Sequence, residues 1–325
     1  MKENTNVAYI ADRKSRLLSL FSNLPILPTT VVGSYPVTSA TDRSKSALSR
    51  LRYLADPLKA SLHTAVKEQI DAGISIISDG QVRGDMIGVF ASKLPGIQGK
   101  NIIGKIRPTE KYITINDTKY ARSKFQFVKG IITGPTTLTY GLHLKAPLYR
   151  NKDEVVSDIT TALLHEVQGL YLSDVSILQV DEPVFSTGIA NLEEGKIAIK
   201  RIRDETPLPL CLHVCGPVHT IIDDYIAMPV DILDLEGTQA AENISVLSHA
   251  ELKGRYIGYG CVDTSRPVLE TVEEIVSRVS KAMEYLPPQQ LILDPDCGMR
   301  MLPHEIAREK LSRLCTAADT IRKEI

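Results

Sequence analysis

No apolar run in this sequence reaches the ~18 residues that a membrane span needs, and Met1 to Lys14 is polar, without the apolar core of a signal peptide. Neither sign of charge dominates. The 38 Lys and Arg stand against 39 Asp and Glu, with no basic stripe for nucleic acid and no acidic tail. These absences predict a soluble cytoplasmic protein with neither nucleic acid nor membrane as a partner; they leave the oligomeric state open. Cysteine is sparse. Five cysteines in 325 residues are odd in number and widely spaced, which argues against a disulfide framework. No Cys-x-x-Cys pair occurs, which argues against a structural zinc ribbon or finger. No Gly-x-Gly-x-x-Gly follows the first apolar run, which weakens a dinucleotide-binding reading.

What is present is a repeat of short apolar runs, each ending in a Gly-, Asp- or Pro-rich turn. The runs cover Thr30–Pro36, Ile74–Gly80, Val128–Ile132, Ile177–Pro183, Leu208–Cys215, Val230–Gly237, Arg255–Asp263 and Leu291–Gly298. They are almost continuously apolar rather than alternating, as in parallel sheets buried on both faces. Helical periodicity fits 58–72, 152–172, 217–227, 242–253, 270–285 and 304–323. The pattern predicts α/β architecture: one (β/α)₈ TIM barrel spanning 1–325, with a doubly wound open sheet as the alternative. Residues 1–27 read as an N-terminal helical arm. Residues 84–126 read as an insertion after the second strand, containing a hairpin and loops.

Catalytic groups in such barrels sit at the C-terminal strand ends. His213 and Cys215 lie two apart on one strand and therefore share a face, roughly 6.6–7 Å apart at Cα. Glu236 ends the next strand and Cys297 the last. Together they make a His, two Cys and Glu set of ligand types that zinc accepts. The competing reading is that Cys215 and Cys297 are small core hydrophobes, and Cys261 could compete as a ligand. Cys211 has the parity of His213 and is expected one layer deeper, in packing. Gly33-Ser34 offers backbone N–H groups and a hydroxyl suited to a carboxylate, or forms only a turn. Asp181 suits an ammonium group, unless it is tied to Arg83.

Taken in order, Val32-Gly33-Ser34-Tyr35-Pro36, Ser78-Asp79-Gly80-Gln81-Val82-Arg83-Gly84-Asp85-Met86, Thr133-Gly134-Pro135-Thr136-Thr137, Gln179-Val180-Asp181-Glu182-Pro183, His213-Val214-Cys215, Leu235-Glu236-Gly237-Thr238 and Asp294-Pro295-Asp296-Cys297-Gly298-Met299 resemble the cobalamin-independent methionine synthases. The resemblance covers about 30 to 302. It implies a zinc-dependent methyltransferase barrel, with zinc on His213, Cys215, Glu236 and Cys297 and L-homocysteine as methyl acceptor. Gly33 and Ser34 would hold the homocysteine carboxylate, Asp181 its amino group, and Gln81 would contact the substrate where long members carry Glu.

The chain departs from the long members in having no room for a second barrel. It also has no histidine in the seventh loop, which reads Asp263-Thr264-Ser265-Arg266-Pro267. That loop leaves Asp263 as the possible catalytic group. Both departures point to the short form and to methylcobalamin or a methylated corrinoid protein as donor, with methyltetrahydrofolate as the alternative. Two rival readings stand beside this one. The first is alkyl transfer to another thiol, such as coenzyme M, and the second is a metal-free, decarboxylase-like barrel.

Overall fold

The computed structural model describes residues 2–37, 56–247, 252 and 254–325. Six parallel strands form the main sheet. They are β3 (Lys129–Thr133), β4 (Ile177–Asp181), β5 (Leu210–Val214), β6 (Ile232–Glu236), β7 (Tyr256–Val262) and β8 (Leu291–Pro295), paired in that order. Two short segments close the ring. In β1 (29–30), Thr29 pairs with Leu293 and Thr30 with Ile76; in β2 (76–77), Ile77 pairs with Val128, and every one of these bridges is parallel. The backbone bonds run around the gap: Thr30 N donates to Leu293 O at 2.8 Å, Ile76 N to Thr29 O at 3.0 Å and Lys129 N to Ile77 O at 2.8 Å. The result is the closed (β/α)₈ barrel, not the open sheet.

The first two strands are shorter than expected. The chain leaves the ladder early at Gly33 and Pro36 and at Gly80, whose φ is +78°. Proline has no N–H to give, and a left-handed turn breaks the pleat. The two turns then hold each other, Tyr35 N donating to Gly80 O at 2.8 Å.

The helices Lys59–Ala72, Lys152–Leu172, Val272–Met283 and His304–Arg322 fall where periodicity places them. The stretch 217–227 is a 3₁₀ turn, Val218–Ile221, followed by a short helix, Ile222–Ile226. Of 242–253 the structure shows Glu242–Leu247, and 248–251 and 253 lie outside the described residues. One barrel helix, Leu192–Asp204, was not anticipated. Its start is marked by Asn191, whose side chain accepts from Glu194 N, and it buries Ala198, Ile199 and Ile202.

The expected hairpin in 84–126 exists, but it is only Ile97–Gln98 against Asn101–Ile102. The same region carries two helices, Met86–Ala91 and Ile115–Arg122, in place of the loops. The first is started by Asp85, which accepts from Ile87 N and Gly88 N.

The arm is a helix, Lys2–Ser22, that plugs the N-terminal end of the barrel. Leu20 packs with Ile76, Ile177, Cys211, Ile232 and Ile292, and Phe21 stacks on Tyr256 at 3.7 Å between ring centroids. Arg13 is buried at 2% exposure. It donates to the carbonyls of Leu208 at 3.2 Å, Thr206 at 2.6 Å and Arg203. One end of the barrel is thus sealed, and the other carries the polar strand ends.

Candidate active site

At the open end, β5 delivers His213 and the residue just after the strand is Cys215, while the turn after β8 delivers Cys297. Ligand atoms of these three residues lie within 4.8 Å of one another. His213 is 2% exposed, and its Nε2 has no hydrogen-bond partner. A buried ring nitrogen without a partner is costly unless something else coordinates it. Its Nδ1 lies 2.9 Å from Asp234 Oδ1, a carboxylate that fixes ring orientation and tautomer. The β5–β6 register sets this pair directly opposite, His213 facing Asp234.

Burial disfavours the imidazolium, yet the Asp234 carboxylate outweighs it and holds the His213 pKa above its ordinary value. The adjacent Cys215 thiol, acting ahead of His213, holds the Cys297 thiol at about 4. An imidazole oriented by a carboxylate beside two thiols is a donor set that soft and borderline divalent metals accept, zinc among them, the ion displacing the ring and thiol protons. The residues present therefore fit a metal ion.

Three of the four expected ligands come together. Glu236 ends β6 as expected and is half-buried, but its oxygens stand outside the three-atom cluster. Burial, then the neighbouring Asp296, raises its carboxyl to about 6, and the charges of Cys297 and His213 also reach it. Cys261 is no ligand: it is fully buried, with its thiol 3.6 Å from Asp294 O. Cys211 lies in the apolar layer one turn of the pleat deeper, as its parity required.

A cavity of about 240 Å³ opens over the cluster, lined by His213, Cys215 and Cys297 together with Ser34, Gln81 and Asp181. Gly33 lies behind this wall. A Cβ at Gly33 would come within 2.6 Å of Gln81 Oε1, so glycine is what lets the Gln81 side chain pack there. Gln81 has φ +44°, a left-handed conformation rarely seen away from glycine, and its N–H donates to Asp79 Oδ1 at 2.8 Å. On the other side, a Cβ on Gly298 would collide with Ser34 Oγ, so that glycine is likewise required.

Asp181 is not tied to Arg83, which instead pairs with Asp56 and Asp117. It accepts from Gln179 Nε2 at 2.7 Å, and burial raises its carboxyl to about 6. Asp181 itself lines the cavity. Asp263 is corrected. It does not line the cavity, and its carboxylate is spent on Ser265 N at 2.7 Å, Ser265 Oγ at 2.6 Å and Arg266 Nε at 3.2 Å. Burial opposes its ionisation, but these donors win and hold its carboxyl below the usual range, which makes it a poor proton donor.

Sequence reasoning missed four residues that organise the site: Asp234, Gln179, Asp296 and Arg300. Asp234 and Gln179 carried a findable signal, each lying two positions before a singled-out strand-end residue and so on the same face. Asp296 accepts from Gly237 N and Thr238 N at 3.0 Å, Thr238 Oγ1 and Gln239 N, and so shapes the loop after Glu236.

Residues 27–320 match the family described as cobalamin-independent synthase, catalytic domain. The chain belongs to that family. Among its relatives is a methionine synthase of Methanocaldococcus jannaschii, 38% identical over 310 residues, covering 90% of this chain and 99% of that protein. Another, from Methanothermobacter marburgensis, is 36% identical over 304 residues, covering 89% and 98%. A 5-methyltetrahydropteroyltriglutamate–homocysteine methyltransferase of Herpetosiphon aurantiacus is 29% identical over 336 residues, 93% of this chain but 44% of that longer one. A solved B12-independent methionine synthase from Shewanella sp. W3-18-1, in complex with selenomethionine, superposes with a TM-score of 0.78 at 22% identity, covering 92% and 98%.

Membership of the cobalamin-independent family makes the chain an enzyme of the methyltransferase type. It also overturns the expectation of a methylcorrinoid donor, which is at odds with a cobalamin-independent family.

Proposed function

We propose that this cobalamin-independent synthase moves a methyl group onto the thiol of L-homocysteine, giving methionine, at a zinc ion held by His213, Cys215 and Cys297. The observation that carries the reading is the buried Nε2 of His213 without a partner, clustered with two cysteine thiols at the floor of a cavity. Three protein ligands and an exchangeable position are the pattern of catalytic zinc sites. Bound there, zinc supplies Lewis acidity that keeps a substrate thiol deprotonated at neutral pH, where a free thiol of pKa about 8.5 is only a few per cent thiolate. Glu236, half-buried beside this set, would be the fourth protein group able to hold the ion.

The chain's own residues supply placement. Asp181, oriented by Gln179, pairs with the substrate ammonium. Ser34, on the cavity wall in front of Gly33, contributes its hydroxyl toward the carboxylate. Gln81, held in its left-handed turn by Asp79, forms the wall that fixes the side-chain methylenes. Asp234 keeps Nε2 of His213 turned toward the cavity. Positioning of this kind accounts for much of the acceleration in a displacement that needs in-line approach.

The acceptor half is tested without any donor. Homocysteine is titrated into zinc-loaded protein by calorimetry in buffers of different ionisation enthalpy. The expected result is saturable binding with about one proton released per thiol bound at pH 7. Binding with no proton release, or no binding, sinks the reading. Turnover is then followed with 5-methyltetrahydropteroyltriglutamate, the donor in the name of the Herpetosiphon relative.

A further inference from the structure

The cavity wall is unevenly charged. Asp79, Asp85 and Asp181 are carboxylates on it. An amino acid carrying a carboxylate meets a negative surface there unless a cation answers it. Two arginines line the cavity, Arg83 and Arg300. Arg83 is fully committed. Its Nε and Nη2 donate to Asp117 at 2.6 and 2.8 Å, and its Nη1 and Nη2 donate to Asp56 at 2.6 and 2.8 Å.

Arg300 is different. Its one hydrogen bond among the described residues runs from Nη2 to the carbonyl of Gln81 at 3.2 Å, and its Nε is buried with no partner. It forms no ion pair with any described residue. The acid whose charge reaches it, Asp85, already has Oδ1 engaged by Ile87 N and Gly88 N at the start of a helix. The anchor places Arg300 over the substrate wall. It grips Gln81, which packs against Gly33, and it follows by two residues Gly298, which packs against Ser34.

We propose that Arg300 is the carboxylate-recognition residue of this cavity. The inference rests on the thiol-methylation reading above. The planar guanidinium keeps an Nε with no partner among the described residues and a second N–H on Nη2, and this Nε/Nη2 edge suits a carboxylate in the two-bond arrangement that a lysine cannot reproduce. The carboxylate comes from the α-carboxylate of the thiol amino acid or from a glutamyl carboxylate of the methyl donor. Proximity to Gly33 and Ser34 favours the first.

The test pairs ligand and protein deletions. Zinc-loaded wild-type, Arg300→Ala and Arg300→Lys proteins, matched for zinc content and melting temperature, are titrated calorimetrically with homocysteine. They are titrated in parallel with 3-aminopropanethiol, which keeps the thiol and the ammonium but has no carboxylate. Arg300→Ala is expected to weaken homocysteine by about 10- to 100-fold, the range of a hydrogen bond to a charged group, and to leave 3-aminopropanethiol within about twofold. Arg300→Lys should fall between.

Unchanged homocysteine binding, with a raised KM for 5-methyltetrahydropteroyltriglutamate and a smaller rise for the monoglutamate, also supports carboxylate recognition and assigns it to the donor. Equal losses for homocysteine and 3-aminopropanethiol overturn the proposal in favour of a structural role. So do unchanged values for homocysteine and for both donors. Wild-type protein that binds neither thiol overturns the homocysteine reading and this inference with it, an outcome distinct from the others.

Discussion

Cys211 and Cys215 stand on the same strand region, point to the same face and differ by two steps of the pleat, yet they belong to opposite ends of the barrel. Cys211 lies among Leu20, Ile76, Ile177, Ile232 and Ile292 at the plugged end, and burial pushes its thiol well above the usual range. Cys215 lies at the open end beside His213 and Cys297. The residue type and the side-chain direction are identical, so what separates a packing thiol from a candidate ligand thiol is the company at each level. A layer of charge divides the two. Lys129 donates from Nζ to Val31 O at 2.9 Å, and Asp234 and Asp294 are buried with it. The plugged end is held by apolar contact and by Arg13, while the open end leaves polar groups incompletely satisfied. That difference is what stability and function respectively ask of the two ends.

The sharpest way to break this comparison is to make the same substitution at both ends. On the proposed zinc reading, Cys297→Ser should abolish stoichiometric zinc and lower turnover by at least ~10³-fold, since a hydroxyl replaces a thiolate far less well as a zinc ligand. Cys211→Ser should keep one zinc per chain, measured by metal analysis, and cost only about 1–3 kcal/mol of stability. Loss of zinc in Cys211→Ser would show that the two ends are not independent.

Next in size is Arg13→Met, which leaves three carbonyls at the plugged end without their donor. Denaturant unfolding should show a loss of about 2–4 kcal/mol with zinc affinity unchanged. A coupled fall in zinc affinity would erase the distinction between the ends.

Asp234→Asn probes the layer between them. It keeps the shape but weakens the partner of His213 Nδ1, and competition with a chelator should report zinc affinity reduced by about 10- to 100-fold. Unaltered affinity would remove Asp234 from the site.

The smallest expected effect is a slope. Glu182, buried at the open end, accepts from Thr136 N at 2.9 Å and Thr137 N at 2.6 Å, but burial outweighs these bonds and raises its carboxyl from 4.5 to about 7. The folded state therefore holds this proton more tightly than the unfolded chain. The stability it contributes is complete below about pH 4.5 and is lost as pH rises through about 7. Unfolding free energy measured from pH 5 to 8 should fall by about 1–3 kcal/mol more in the wild type than in Glu182→Gln. Parallel curves would show that Glu182 is not the group responsible.

Much of the candidate site could be read from parity. His213 and Cys215 share a face because a strand repeats every two residues, and the Gly- and Pro-rich turns after each run marked which end was the mouth. Asp181 was legible for the same reason. Asp263 was misjudged because position in a loop says nothing about what its carboxylate touches, and Ser265 and Arg266, two and three residues on, capture it. The helices of 84–126 were missed because Gly, Thr and Lys are common in the stretch, while their stability comes from tertiary contacts. Glu166, for example, accepts from Ile113 N and Thr114 N at 2.7 Å just before the helix Ile115–Arg122.

The sequence by itself determined the order of eight apolar runs, the face on which each strand-end residue stands, and hence a parallel barrel with its candidate ligands at one mouth. Those are local, periodic properties of the backbone. Only the tertiary structure decided that three thiol and imidazole groups converge within 4.8 Å while Glu236 stands apart, and that Arg83 is consumed by Asp56 and Asp117 while Arg300 has no ion pair among the described residues. Coordination and charge pairing act between residues tens to hundreds of positions apart. They exist only once strand register and barrel closure have fixed distances that no local pattern encodes.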